Sequence, residues 1–381
     1  MKLEVHTPST VNAENNKELL KFFQHFHVNS SVNLKFDRGN DFFGLYKTQS
    51  DESCTYSLRS EKNNRIEAIA SFVFRDVFEG GHVQKIAYAT DLRVSNSRRA
   101  ILEWTQHFLP VMEEVEKTHG VKNIFSVIDL TETTVINTFL RPRTMRRALP
   151  RYYLYRKFFL NTLHGRFPWA PSPLKSLRIR EGSDGNRDAL MGYLKKKHLY
   201  RPFTSVWDEQ SFDKKMSRLP GFKFSNFLIA FDHQDNVVGC LAPWSPQSVQ
   251  RLIPYSYGLQ AHNFRQFLKF GRLFGWTHPL TKPYSSTQIE APLQFRYLTN
   301  IAVENEDVFE SLLWSAYEKL EKNQFLAYAQ IEQDFRTLPP TSWVAARLPY
   351  ALYSILPPSQ ARPDFLHPSA TLNPELEAFF L

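Results

Sequence analysis

The sequence predicts an α/β fold laid down twice along one chain of 381 residues. Two observations carry that prediction. The stretch YATDLRVSN (residues 88–96) returns as YLTNIAVEN (residues 297–305), with Tyr, Thr, Val and Asn in the same places and Asp/Asn and Leu/Ile matched in kind. The same series of strand-like and helix-like segments surrounds both copies, and similarity over so long a period marks duplicated domains rather than a solenoid. The composition agrees: 42% apolar and 14% aromatic residues are enough for two packed interiors and too many for a disordered chain.

The elements follow from periodicity. Each half opens with a short strand-like run, LEVHT from Leu3 and LRIRE from Leu177. A helical segment follows, NKELLKFFQHF in the first half and DALMGYLKKK in the second. Next come two strands meeting at a turn, EKNN within CTYSLRSEKNNRIEAIASFVF and HQDN within FLIAFDHQDNVVGCLA. The duplicated strand is third and leads into an amphipathic helix, AILEWTQHFLPVMEEVEK or DVFESLLWSAYEKLEK; Pro110 should kink the first of these. A buried strand (NIFSVIDL, QFLAYAQIE), a short helical segment and a final strand (LPRYYLY, LPYALY) close each half.

These assignments place an N-terminal domain at residues 1–163, a proline-rich linker at 164–176, a C-terminal domain at 177–356 and a proline-rich tail at 357–381, expected to lie along the surface or loosely ordered. Residues 245–292 form an insertion in the second domain, rich in aromatic and basic side chains. There Phe264, Phe267, Leu268 and Gly271 have the spacing of an amphipathic helix packed on a core. Phe264, Phe267, Phe270, Phe274 and Trp276, with Arg265, Lys269 and Arg272, could alternatively stack bases and bind phosphates.

The net charge is +9 and uneven. Residues 133–180 and 236–289 contain no Asp or Glu, and Arg141, Arg143, Arg146, Arg147, Arg151, Arg156 and Lys157 crowd the first of these spans. Such fields suit phosphate-bearing ligands, a nucleotide cofactor or RNA, or are simply a basic surface. The two cysteines, Cys54 and Cys240, are far apart, which argues against a disulfide framework and a cysteine zinc site. No apolar leader and no run long enough for a membrane helix is visible, so a cytoplasmic protein with no membrane partner is expected. GxSxG, GxxxxGK and HExxH are absent, and His25 and His27, two apart on a helix, do not share a face.

Strand, helix, three antiparallel strands, helix, strand, helix, strand is an order that resembles the GNAT superfamily, the acyl-CoA N-acyltransferases. DLRVSNSRRA resembles that family's fourth strand and the turn after it. Tandem forms occur in the N-myristoyltransferases, the Fem aminoacyltransferases and several bacterial two-domain acetyltransferases. The resemblance spans most of both halves by order of elements and few residues by sequence. It implies two tandem GNAT-like domains, each a mixed, mostly antiparallel sheet flanked by helices, and acetyl-CoA or another acyl-CoA as co-substrate, with no metal. A small-molecule or peptide amine is the implied acceptor. The strand edge at Asp91, Leu92, Arg93 and Val94 would hold the pantetheine by backbone bonds; Ser95, Asn96, Arg98, Arg99 and Ala100 would meet the pyrophosphate beside a helix N-terminus. The family's glycines are missing from this turn.

By the same resemblance Asp91 is the candidate general base. Leu140 stands where the family often has a tyrosine acid, which leaves Tyr152, Tyr153 and Tyr155 as replacements, with Tyr155 taken as the catalytic candidate. In the second copy Glu304, Glu306 and Asp307 occupy the turn, where they would repel a phosphate, so the site is expected in the first half. A binding protein without catalysis and a Fem-like aminoacyl-tRNA-dependent transferase are the alternatives.

Overall fold

The computed structural model describes residues 1–28, 31–79, 81–132, 149–199, 201–367 and 372–380. From the N-terminus the chain runs through β1 (Lys2–His6), α1 (Ala13–Gln24), β2 (His27–Val28), β3 (Val32–Asp37), α2 (Gly44–Gln49), β4 (Glu52–Arg59), β5 (Ile66–Glu79), β6 (His82–Val94), α3 (Arg98–His119), β7 (Asn123–Asp129) and β8 (Arg151–Arg166). It continues through β9 (Arg178–Glu181), α4 (Asp184–His198), β10 (Thr204–Ser205), α5 (Glu209–Ser217), β11 (Leu228–Phe231), β12 (Val237–Trp244), β13 (Arg251–Tyr257) and α6 (Leu259–Leu273). The last elements are α7 (Tyr284–Thr287), β14 (Phe295–Val303), α8 (Glu306–Glu318), β15 (Phe325–Ile331) and β16 (Trp343–Leu356).

The chain divides into two compact units. One is Met1–His27, Arg38–Lys157 and Tyr350–Asn373; the other is Val28–Asp37, Phe158–Pro349 and Pro374–Leu381. In the first unit the strands lie in the order β1, β4, β5, β6, β7. All neighbours are antiparallel except β6 and β7, which are parallel. In the second unit the order is β9, β11, β12, β14, β15, again with one parallel pair, β14 and β15. The duplicated strands β6 and β14 thus hold the same place: fourth in a sheet, antiparallel to the third strand and parallel to the fifth. The turns between the second and third strands form where the sequence put them, with Asn64 (φ 54) and Asp235 (φ 65) as their left-handed residues. Asn and Asp adopt that backbone more readily than other side chains.

The sixth strand of each sheet differs from expectation. β7 pairs with residues 350–355 of β16, and β15 pairs with residues 158–163 of β8. Each sheet is therefore closed by chain from the other half of the sequence. Periodicity could not show this, because two similar final strands fit either sheet edge equally well.

The helix after the duplicated strand packs on each sheet for the same reason. In α3, Trp104, Phe108, Val111, Met112 and Val115 recur at three- and four-residue spacing and are buried against Tyr56, Ala70, Phe72 and Ala87. Ser97 caps its start by accepting from Ala100 N at 3.4 Å, and Gly120 (φ 64) ends it. Pro110 lies inside this one helix. In α8, Val308, Phe309, Leu312, Leu313 and Ala316 do the same against Leu228, Ala230, Leu241 and Leu298, and Asn305 caps Val308 N at 3.0 Å.

In the second unit β13 pairs with β3, and α6 follows β13. The buried row of α6 is Arg265, Leu268 and Gly271. The sequence placed Phe267 on the core face, but it is 41% exposed. The reason is Gly271, whose missing side chain lets Thr277 sit against the helix and sets which face turns inward.

Gly165, like Gly182, makes a very tight backbone contact in this unit. A Cβ there would lie 2.1 Å from the Trp276 carbonyl oxygen and 2.8 Å from Thr277 Cα. Gly165→Ala is expected to cost about 1–3 kcal/mol by overpacking, seen as a lower thermal midpoint. Gly185→Ala, on a helix with open space around it, is the control and should lose nothing.

Candidate active site

Both duplicated strands carry one extra residue. β6 pairs with β5 at Ser71↔Thr90 and then at Ile69↔Arg93, so three steps of one strand oppose two of the other. β14 repeats this against β12, with Ala242↔Thr299 followed by Cys240↔Ala302. The residue at the bulge is Asp91 (φ 51) in one unit and Asn300 (φ 53) in the other. The Asp/Asn match in the sequence is therefore a match of backbone conformation. Before the bulge the fourth and fifth strands pair for three residues, Ile86–Tyr88 with residues 123–125 and residues 295–297 with residues 325–327. Beyond it they part. Ser95 N donates to Glu67 O at 2.8 Å, and Glu304 N to Val238 O at 3.1 Å, both toward the third strand. Backbone direction alternates along a strand, so Val94 and Val303 turn their N–H and C=O toward the opened side.

Asp91 is held at its side chain. Its Oδ2 accepts from Arg38 Nη2 at 2.5 Å and from Tyr46 Oη at 2.5 Å, and Arg93 lies 3.9 Å from Oδ1. Arg38 is only 2% exposed at its side chain and sits over the rings of Phe23 (4.3 Å) and Tyr46 (4.7 Å). Burial alone would push the Asp91 carboxyl up; Arg38, then Arg93 and the Tyr46 hydroxyl outweigh it and hold the group below the usual carboxylate range. Burial also pushes the Tyr46 phenol up, with Arg38 opposing. Arg38 and Tyr46 are the partners that sequence reasoning missed. They lie 53 and 45 residues from Asp91, and no spacing rule links them to it.

The other predicted residues fall as follows. Leu92, Arg93 and Val94 complete β6 and are half-buried, and Leu92 and Val94 pack against the α3-side core. Ser95 Oγ donates to Glu67 Oε2 at 2.5 Å, so an acid already lies at the start of the turn. Asn96, Arg98 and Arg99 are exposed and Ala100 is buried; Arg99 lies 3.7 Å from Glu103. Tyr155, on β8, is buried beside Phe125, where β6 and β7 part, with ring centroids 5.9 Å apart, and 5.2 Å from Phe365. Burial pushes its phenol up; the Arg156 guanidinium opposes this, and Glu79 and Tyr88 add to the rise. Glu79 itself, which accepts from Gln84, is pushed up to about 7 by burial against the pull of Lys122. Leu140 and the arginines from 141 to 147 lie outside the described residues. Among the described residues no group of three His, Cys, Asp or Glu side chains could hold a metal ion.

The equivalent place in the second unit is filled by its own chain. Asn300 N donates to Glu377 Oε1 at 2.9 Å. Glu375 accepts from Lys215 Nζ at 2.9 Å and from Ser205 N at 2.5 Å, and Phe379 packs on Trp244 with centroids 5.7 Å apart. The end of the tail is thus buried rather than loose along the surface, because its two acids find a lysine and a bulge amide and its aromatics find the core. At the open end of β14, Glu304 pairs with Lys197 at 2.6 Å, and Arg201, Asp334 and Arg336 line a small pocket with residues 301–303. Glu304 of this turn is therefore paired with a cation, and the two arginines beside it lie against Asp334.

Asp91→Asn keeps the bulge conformation and removes the charge opposite buried Arg38. It is expected to cost about 3–5 kcal/mol at neutral pH in chemical denaturation, and Arg38→Met in the same chain should recover much of that. The folded pKa of Asp91 lies below its ordinary 3.8, so its contribution is complete above that pH and is lost as pH falls through the folded value. Wild type should therefore lose stability below about pH 4 more steeply than Asp91→Asn.

Searches by sequence find no matching family model and no matching curated protein. Solved structures do match. N-myristoyltransferase of Saccharomyces cerevisiae, with bound myristoyl-CoA, superposes with a TM-score of 0.52 over 93% of this chain and 79% of that one, at 8% identity. A GCN5-related N-acetyltransferase of Sphaerobacter thermophilus gives 0.46 over 79% of each chain at 11% identity. A probable N-acyltransferase of Enterococcus faecalis gives 0.47 over 94% of this chain and 73% of that one at 9% identity. The likeness to the N-myristoyltransferase is one of fold: this chain is built on the GNAT N-acyltransferase fold.

Proposed function

We propose that the protein is an N-acyltransferase that moves an acyl group from an acyl-CoA thioester to an amine, with its site in the first unit. The observation that carries this is the parted pair β6 and β7. It leaves an open strand edge at Val94, and that edge leads to Arg98 and Arg99 at the N-terminus of α3. An extended pantetheine can add to such an edge as a strand does, and the arginines with the helix N-terminus suit its phosphates. N-myristoyltransferase, with the same fold, binds myristoyl-CoA. In the second unit the bulge amide already serves Glu377 and the tail is buried at that place, which favours the first unit as the one left for a ligand.

The Asn300–Glu377 bond also says what a bulge amide does: it donates to a partly negative oxygen. The Asp91 amide has the same left-handed backbone and would receive the thioester oxygen as charge builds there. The amine nitrogen attacks the carbonyl carbon, the C–N bond forms, the C–S bond breaks, and the proton lost by the amine nitrogen passes through water to the departing coenzyme A thiolate. Tyr155, kept a neutral phenol by burial, would donate a hydrogen bond to the leaving sulfur and not its proton. Asp91 stays charged, but Arg38 and Tyr46 occupy one of its oxygens. It is a weak base, and its larger part is to hold the bulge. The turn without glycine favours a second reading, binding without turnover.

Melting with coenzyme A, acetyl-CoA and longer acyl-CoAs tests the proposal. Ligand at 100 times its Kd should add about 2.7 kcal/mol of stability. Arg98→Glu with Arg99→Glu should weaken binding by about tenfold or more, whereas Glu306→Lys in the second unit should leave it unchanged. Thiol release on adding amines separates turnover from binding alone. No shift at millimolar ligand would sink the proposal.

A further inference from the structure

The insertion helix α6 is apolar on two opposite sides. Its inner side is fixed in the second unit. Leu268 is fully buried, Thr277 Oγ1 donates to Leu268 O at 2.6 Å, Trp276 N donates to Gly271 O at 3.0 Å, and Arg265 Nε donates to Leu280 O at 3.4 Å. At helical spacing Phe270, Leu273 and the capping Phe274 face away from Leu268, with Phe267 beside them; they are 58, 80, 54 and 41% exposed. Leu259, 79% exposed, stands at the helix start, with exposed His262, Asn263 and Gln266 between it and that row. A soluble surface tolerates single apolar side chains, but a contiguous row marks a contact.

Charge narrows what the contact is. The helix contains no Asp or Glu, and no acid occurs anywhere in residues 236–289. Lys269, one turn before Leu273, borders the apolar row, and exposed Arg272 follows one turn after Leu268 toward the helix end. Stacked nucleobases fit poorly: Arg265 is buried, Phe274 already stacks on Trp276 at 4.9 Å, and Leu259 and Leu273 offer no ring. A leucine and phenylalanine row flanked by cations matches the interface of an anionic bilayer, which takes apolar tips without shape complementarity and draws Lys and Arg to its headgroups.

We propose that α6 lies on anionic membrane surfaces, its outer row in the acyl boundary and Lys269 and Arg272 at the headgroups. No helix among the described residues is long and apolar enough to cross a membrane. The sequence-based expectation of no membrane partner rested on that length criterion, which bears on spanning and not on lying at the surface. The inference does not depend on the acyltransfer proposal.

Co-sedimentation of the full chain with phosphatidylcholine vesicles, with and without phosphatidylserine, tests it. The wild type should pellet about tenfold more with the anionic vesicles and lose most of that at high salt. Phe270→Ser with Leu273→Ser, at exposed positions, should abolish pelleting with an unchanged melting midpoint; Lys269→Glu with Arg272→Glu should remove the preference for phosphatidylserine. Equal pelleting of wild type and the serine variant overturns the proposal. So does a wild-type dimer by light scattering that the serine variant dissolves, since the row would then face a second copy, or tRNA binding that the serine variant loses.

Discussion

The candidate site rests on a single backbone constraint, met twice: the fourth strand of each sheet takes one left-handed residue too many. An extra residue at φ near 50° cannot stay in the ladder on both sides. The strand keeps its bonds to the third strand and gives up those to the fifth. What results in each unit is a sheet that opens partway along its one parallel pair. Only residues that tolerate this conformation can sit at the hinge of the opening, and the chain uses Asp in one case and Asn in the other.

The two openings are then finished with opposite charge logic. In the first unit the bulge residue supplies the anion, and a cation comes from Arg38, desolvated and clasped by rings; the tyrosine hydroxyl shares the carboxylate. In the second the bulge residue is neutral, and the anion is Glu377, brought from far along the chain to the amide. A duplicated element has thus kept its geometry while its electrostatics were rebuilt from unrelated residues. The first arrangement fixes the backbone from the side-chain side and leaves the strand edge at Val94 turned outward. The second covers the bulge amide itself.

Much of the fold was legible because it is written locally. The alternation in LEVHT, the helical spacing in AILEWTQHFLPVMEEVEK and the turn residues EKNN each constrain a few neighbours, and each formed where expected. The repeat gave the two-unit plan. The site was half legible: Asp91 could be singled out, since the duplicated strand marks it, but its partners could not. A salt bridge across 53 residues leaves no periodic trace, and neither does an amide bond to a glutamate 77 residues away. On the insertion helix Leu268 and Gly271 took the inward face that the spacing gave them, whereas Phe267, placed with them, is 41% exposed, because Thr277 packs at Gly271 and sets the rotation of the helix.

The trade of closing strands between the halves bears on how the chain is made. β7 cannot complete its ladder until the residues from 350 onward have left the ribosome. Through most of synthesis the N-terminal sheet therefore carries a bare, apolar parallel-strand edge, the kind of surface that recruits other nascent chains. Closing it demands a contact across more than two hundred residues, which is slow by loop entropy. The protein should then fold as one late event rather than as two successive ones, with a long window in which holdase chaperones matter more than intrinsic stability.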